Sequence, residues 1–451
     1  EISECLVGSE MCIRDRFAHV YATYYDADFK ETVEHIESAK SKLAYIEVKA
    51  KEKGYPLYLI IDEYDNFTNV ILSEHGQRMF HDLTHASGFY REYFKQFKGM
   101  FDRIFMMGVS PVTLDGLSSG YNIDWNISVD EIFNAMMGFE EAEVREMFRY
   151  YQQNDMLKGD VEAMITEMKP WYDNYCFARM SLNDDRVFNC DMTLYYLNYQ
   201  VQRGSSPEEM VDKNIRTDYS KLKMLARIDR DSVQEGDRMS TIEKIAAEGD
   251  IFVDLHTSFP AERITDIDNF RSLLYYYGLL TMCGTRGDLI KMSIPNNCVR
   301  EQYFGFLRDY YQKYSSIDLH YLNVMLTDMA YDGRWKPFFE SVAQAYRENS
   351  AVRDAMEGER NLQGFLKAYL ALASYYLVEP ELEMNYGYCD FFLLPDKKRY
   401  PDVKHSYILE LKYATRTATD AELEVQALEG RKQLLRYSED KICLLYTSDA
   451  A

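Results

Sequence analysis

DFFLLP (390–395) and YILELK (407–412) are the two stretches on which the reading of this chain turns. Each is an apolar run of strand-forming residues with charge at one end: Asp390 heads the first, and Glu410 and Lys412 close the second. In a strand, residues i and i+2 face the same side, so Glu410 and Lys412 project together while Leu409 and Leu411 pack into a core. If the two runs pair as a hairpin, Asp390 lands beside them. Two carboxylates and a lysine at one end of a buried sheet are unfavourable unless they are paired or bind a cation. Carboxylates that hold Mg²⁺ and a lysine above an attacking water are the groups that cation-assisted phosphodiester hydrolysis requires.

Glu-x-Lys alone is common as a solvated pair on one strand face. The neighbouring segments narrow the reading. Upstream, GERNLQGFLKAYLALASYYLV (358–378) has helical apolar spacing and opens with Glu359, a third carboxylate. Downstream, ELEVQALEGRKQLLRY (422–437) reads as a helix that sets Gln433 and Tyr437 one turn apart on the same face. The order Glu, Asp, Glu-x-Lys, Gln-x-x-x-Tyr, carried on helix, strand, strand and helix, resembles the PD-(D/E)XK nuclease superfamily. That resemblance implies Asp390 and Glu410 as metal ligands, Lys412 as the catalytic lysine, Glu359 as an accessory ligand, and Gln433 and Tyr437 as supporting residues. The sequence departs from the pattern in placing Cys389, not proline, before the aspartate.

The N-terminal third carries a different signal. PLYLIIDEYDNF (56–67) is an apolar, strand-forming run that ends in Asp62 and Glu63. It looks like a Walker B strand, in which the aspartate holds Mg²⁺ and the glutamate polarises the water that attacks the γ-phosphate; a buried strand followed by a polar turn fits the same residues. FDRIFMMGVSPVTL (101–114) is a second such run ending in Ser110 and Thr113, where an AAA-type sensor residue belongs. Strands of a parallel sheet read as continuous apolar runs with ligand groups at their C-terminal ends.

WYDNYCF (171–177), VFNCDMTLYYL (187–197), TDYSKL (217–222), YYYGLLT (275–281) and IPNNCVREQYF (294–304) follow. In this order the segments resemble bacterial AAA-ATPase-like proteins with a C-terminal PD-(D/E)XK nuclease domain, from about Phe17 to Ile442. No Gly-x-x-x-x-Gly-Lys-Ser/Thr loop for the β and γ phosphates occurs in the sequence. EISECLVGSEMCIRDR (1–16) and CLLYTSDAA (443–451) read as adapter-derived ends, so the expectation is a fragment without its P-loop and with weak or no nucleotide binding.

A chain of 451 residues, 47% of them hydrophobic, is long enough for two to four domains with sizeable cores. No apolar run approaches the length of a membrane span, and eight scattered cysteines suit reduced, cytoplasmic thiols better than a disulfide framework. The net charge of −23 argues against simple nucleic-acid binding, because phosphate affinity depends on Lys and Arg. Around the Asp390 and Glu410 segments, however, lie Lys397, Lys398, Arg399, Lys404, Arg416, Arg431, Lys432 and Arg436, which read equally as a groove lining or a mixed solvated surface. HDLTH (81–85) superficially resembles a zinc-binding helix, but Asp82 is shorter than the usual glutamate and no third ligand lies nearby.

The combined expectation is α/β. A truncated P-loop AAA-type parallel sheet spans residues 17–150, a helical lid and winged-helix-like region 151–304, a helical connector 305–323, and a PD-(D/E)XK-type nuclease-like domain 324–442. The function expected is ATP-linked, Mg²⁺- or Mn²⁺-dependent cleavage of nucleic acid, DNA before RNA, with no membrane association. Homo-oligomerisation is left open. The alternative is a non-catalytic, ATP-controlled interaction protein that uses the nuclease-like domain for docking.

Overall fold

The computed structural model describes residues 27–36, 39–64, 97, 99–113, 125–212, 222–223, 225–226, 235–260, 263–264, 266–312, 318–348, 359–370, 372, 375–384, 387–397, 399–412, 414 and 418–440. The two expected adapter-derived ends, HDLTH, most of TDYSKL, Lys398 and Arg416 lie outside them. The chain divides into two units, one comprising Glu1–Trp125 with Thr257–Thr265, the other Asn126–His256 with Asp266–Ala451.

In the first unit, helices α1 (Ala27–His35) and α2 (Ala39–Lys53) precede strand β1 (Tyr58–Ile61), which pairs in parallel with β2 (Arg103–Met106). Leu43, Ile46 and Ala50 recur at helical spacing in α2 and are buried. Leu43 and Ile46 join Phe29, Val33, Phe97 and Met100 in a core against which Leu59, Ile61, Ile104 and Met106 pack. Successive strand residues point to opposite faces, so Leu59 and Ile61 meet the helices while Tyr58 and Ile60 remain 62% and 69% exposed. The apolar run read from the sequence as a strand is thus covered on one face in β1. Strand β3 (Val112–Thr113) pairs in parallel with Phe259–Pro260, a strand that follows much later in the chain.

In the second unit, β4 (Phe139–Glu140) pairs antiparallel with β5 (Val187–Phe188). Gly138 sits so close to Val187 that an added Cβ would lie 2.6 Å from its Cγ2, so no larger residue fits without a shift. Helices α3 (Glu141–Gln153), α4 (Val161–Tyr172) and α5 (Cys190–Arg203) enclose a core that includes Phe148, Met168, Tyr172, Phe188 and Tyr196. Their starts are set by sequence: Asp160 caps α4 through the Glu162 N–H and Asn189 caps α5 through the Met192 N–H.

Next come α6 (Glu235–Glu248), β6 (Asp250–Val253), the Phe259–Pro260 strand (β7) of the first unit, α7 (Ile267–Tyr276), β8 (Thr281–Arg286) and β9 (Leu289–Ser293). Strands β6, β9 and β8 form an antiparallel sheet in that order. Helix α8 runs from Asn297 to Gln312, continuous through residue 304. Helices α9 (Leu319–Asp332), α10 (Lys336–Glu348) and α11 (Glu359–Leu370) then lead into β10 (Tyr376–Met384), β11 (Gly387–Pro395), β12 (Tyr407–Leu409) and the last described helix, α12 (Asp420–Ser438).

Strand β11 is central in an antiparallel sheet of order β10-β11-β12. The hairpin expected between DFFLLP and YILELK is present, with Phe391 opposite Leu409, Phe392 opposite Ile408 and Leu393 opposite Tyr407. The helix expected over 358–378 stops at Leu370, and its tail enters β10. Tyr376, Leu377 and Val378 are aromatic or apolar residues that suit a pleated surface, and pairing with Leu393 to Pro395 outweighs their helical spacing. Helix α11 is anchored by Phe365, whose ring centroid lies 5.2 Å from that of Tyr311 in α8, and by Lys367, which donates to the Ala246 carbonyl of α6 at 3.4 Å. Among the described residues no helix is long and apolar enough to cross a membrane.

Candidate active site

Asp390 lies on the central strand between two fully buried neighbours, Cys389 and Phe391. A small thiol packs readily in such a position, so the residue preceding the aspartate serves the core. The β11–β12 register, extended by one residue beyond the Phe391–Leu409 pair, sets Asp390 opposite Glu410. One direct bond fixes this arrangement: the Leu411 backbone N–H donates to Asp390 Oδ2 at 2.5 Å. The other carboxylate oxygen, Oδ1, accepts from Gln363 Nε2 of α11 at 2.7 Å.

Glu410 and Lys412 lie just past the end of β12 and point to the same side, as period-two spacing requires. Lys412 Nζ contacts Glu410 Oε1 at 2.7 Å, with the glutamate side chain 6% exposed and the lysine 27%. Glu410 Oε2 is buried and has no hydrogen-bond partner. Burial pushes the Glu410 carboxyl above the usual glutamate range; the neighbouring Asp390 charge adds to the rise and Lys412 opposes it. The Lys412 stem crosses Gly430 of α12, where a Cβ would lie 3.5 Å from Lys412 Cγ and 3.8 Å from Cε.

Helix α12 begins with a capping box in which Thr419 and Glu422 satisfy each other's backbone N–H groups. Three turns later its inward face carries Gly430, Gln433 and Tyr437. Tyr437 is 4% exposed and donates its hydroxyl to the Tyr388 carbonyl on β11 at 2.9 Å. Gln433 Oε1 is a second buried acceptor without a hydrogen-bond partner. Glu359 opens α11 one turn before Gln363; its side chain lies outside the described residues.

The structure therefore brings Asp390, Glu410 and Lys412 together on one hairpin, with Tyr437 bonded to the same central strand. Gln363 and Gly430 were not singled out from the sequence. Both left a trace there: Gln363 follows Glu359 by four residues on a helix, and a glycine inside a helix costs about 1 kcal/mol relative to alanine, which marks a close approach. Of the surrounding cations, Lys397 donates to the Val403 carbonyl and Arg399 stacks on Trp171, 5.6 Å from its ring centroid. Arg431, Lys432 and Arg436 are exposed on α12. Among the described residues, no group of three or more His, Cys, Asp and Glu side chains is arranged to hold a metal ion. The donor set nonetheless suits a hard cation: two carboxylates face each other and one buried oxygen, Glu410 Oε2, is unmatched.

In the first unit, Asp62 and Glu63 follow β1 directly and are exposed. Glu63 takes a left-handed backbone conformation with φ of 51°, unusual for a non-glycine residue, and its N–H donates to Asp62 Oδ1 at 2.9 Å. Because β1 and β2 are parallel, their C-terminal ends lie together, joined by the Tyr64 hydroxyl donating to the carbonyl of buried Ser110 at 2.6 Å. The Thr113 side chain lies outside the described residues.

Residues 357–444 match the PD-(D/E)XK nuclease superfamily, and residues 8–118 match the family described as predicted AAA-ATPase. The chain thus carries an AAA-ATPase-like region followed by a PD-(D/E)XK nuclease superfamily domain, a mixed α/β architecture that points to nuclease and ATPase function. No curated protein matches the chain, and no solved structure does.

Proposed function

We propose that the C-terminal domain is a metal-dependent nuclease, with Asp390, Glu410 and Lys412 at the scissile phosphate. The observation that carries this reading is the register that sets Asp390 opposite Glu410, tied by the Leu411 N–H. Asp390 and Glu410, with Glu359 as an accessory ligand, would hold Mg²⁺ or Mn²⁺. Such an ion supplies charge neutralisation at the phosphoryl oxygens and lowers the pKa of a water at the site. The protein's own part is positional. Gln363 and Leu411 hold Asp390 in place, the Gly430 surface guides the Lys412 stem, and the Lys412 ammonium is set to orient a water for attack. Gln433 and Tyr437 support the strand from α12.

Nucleic acid, DNA first, is the proposed substrate. Asp62 and Glu63 would serve ATP hydrolysis in the AAA-ATPase-like region, with Ser110 at the sensor position, so that ATP turnover is linked to cleavage. The test is direct. Residues 17–442 are incubated with single- and double-stranded DNA and RNA plus Mg²⁺ or Mn²⁺, alongside Asp390→Ala and Lys412→Ala. Cleavage abolished by both substitutions is the expected result; Lys412→Ala retaining full cleavage would sink the assignment.

A second reading, a non-catalytic docking domain, has its own observation in favour. Both Asp390 oxygens already accept protein hydrogen bonds, and the chain carries a net charge of −23. Nucleic-acid binding at low salt without cation-dependent cleavage would select it.

A further inference from the structure

Helix α12 buries Gly430 and Tyr437 and turns its opposite face outward. On that face Val425, Leu428 and Leu435 are 65%, 54% and 67% exposed. With Ala421 and Lys432 they form a stripe, 421, 425, 428, 432 and 435, alternating steps of four and three residues. That is the spacing of a helix–helix seam, not of a solvated surface. Isolated exposed apolar residues need no explanation, whereas Val425 and Leu428 adjacent on one face, with Leu435 beyond Lys432, make an exposed row of the kind that marks an interaction surface.

The charges on the same helix indicate what covers the row. Asp420, Glu422, Glu424 and Glu429 lie in the first part; Arg431, Lys432 and Arg436 lie in the second. This order follows the helix dipole and stabilises the helix on its own. It also makes the helix complementary to itself. A second α12 laid antiparallel across Leu428 sets Ala421 opposite Leu435 and Glu424 beside Arg431, each twice by symmetry. A parallel arrangement sets like charges against each other. We propose that the outward face of α12 is a self-association surface, on which a second copy of this chain packs its own α12 antiparallel about a two-fold axis through Leu428. Such an interface is isologous, the commonest kind in homo-dimers.

The helix has 19 residues, a length of about 28 Å. One helix pair of that length falls in the small-interface class, below about 1,200 Å², so the dimer is weak and concentration-dependent. The seam is on the side of α12 away from Tyr437, and pairing leaves the Asp390 hairpin uncovered. The proposal does not rest on the nuclease reading, and its test needs no activity.

Sedimentation equilibrium of the full chain from low to high micromolar concentration is expected to show monomer and dimer in exchange. Leu428→Glu, an exposed position where the fold should persist by circular dichroism, should raise the dimer dissociation constant at least tenfold, about 1.4 kcal/mol. Arg431→Glu should weaken association, and adding Glu424→Arg should restore it. Orientation is read by oxidative cross-linking against the parent chain. Leu428→Cys should link to itself, and Ala421→Cys should link to Leu435→Cys when the two variants are mixed. A chain that stays monomeric throughout, a dimer indifferent to Leu428→Glu, or Ala421→Cys linking mainly to itself would each overturn the proposal.

Discussion

Gln363 donates its side-chain amide to Asp390 Oδ1 at 2.7 Å, from a helix to the centre of the sheet. Partners of metal-ligating carboxylates orient the ligand, and losing one typically lowers metal affinity 10- to 100-fold. Gln363→Ala should therefore weaken Mn²⁺ binding about tenfold by calorimetry, with far-ultraviolet circular dichroism unchanged. Unaltered Mn²⁺ affinity would mean that Leu411 alone positions the carboxylate.

Gly430 supports Lys412 in a way that volume should reveal. A Cβ at that position makes ordinary contact with the lysine stem, at 3.5 and 3.8 Å. Gly430→Ala should keep activity and add up to about 1 kcal/mol from helix propensity. Gly430→Leu should push the stem aside and reduce cleavage by one to two orders of magnitude, roughly what a misplacement of about 1 Å costs. Equal activity in the two variants would mean that Gly430 does not position Lys412.

Cation binding should fail on acidification earlier than for an ordinary glutamate pair. Burial and the Asp390 charge raise the Glu410 carboxyl, so protons compete for it above the usual glutamate range. Lys412 opposes that rise, and Lys412→Met should move the loss of Mn²⁺ affinity to higher pH. A shift to lower pH would contradict the electrostatics of the site.

Glu243 gives a stability test away from the hairpin. It is 5% exposed, accepts from the Tyr311 hydroxyl at 2.9 Å, and is pushed up to about 7 by burial. Because the folded-state value is raised, its stabilising contribution is full below the ordinary glutamate range and is lost as pH rises through about 7. Glu243→Gln keeps an acceptor without the charge. It should be more stable than the parent at pH 8, by about 2 to 3 kcal/mol, and show no such gain at pH 5. Urea unfolding at the two pH values measures this.

The hairpin was legible because β11 and β12 are short apolar runs bounded by polar sequence, with the charges at their ends. Helix α12 was legible through the run 422–437 and the Gln433–Tyr437 spacing, while its Thr419–Glu422 capping box emerged only in the structure. The end of α11 was not legible: the residues after Leu370 keep helical periodicity, and only pairing with Leu393 to Pro395 draws Tyr376 to Val378 into a strand. The hold on Asp390 was hidden for a related reason. The Leu411 N–H belongs to the backbone and Gln363 to a helix that packs on the sheet, so neither bond has a signature in the motif. The exposed face of β1 depends on which elements cover a strand, something a continuous apolar run does not encode.

The pairing of Phe391, Phe392 and Leu393 with Leu409, Ile408 and Tyr407 has a consequence for how this domain tolerates change. Sliding one strand by a single residue would turn Glu410 and Lys412 to the opposite face of the sheet. The segment 396–406 between the strands is held in another way, by the Lys404 N–H on the Ala330 carbonyl, Lys397 on the Val403 carbonyl and the fully buried Val403. A deletion or insertion of one residue inside either strand should disassemble the constellation even where the fold survives.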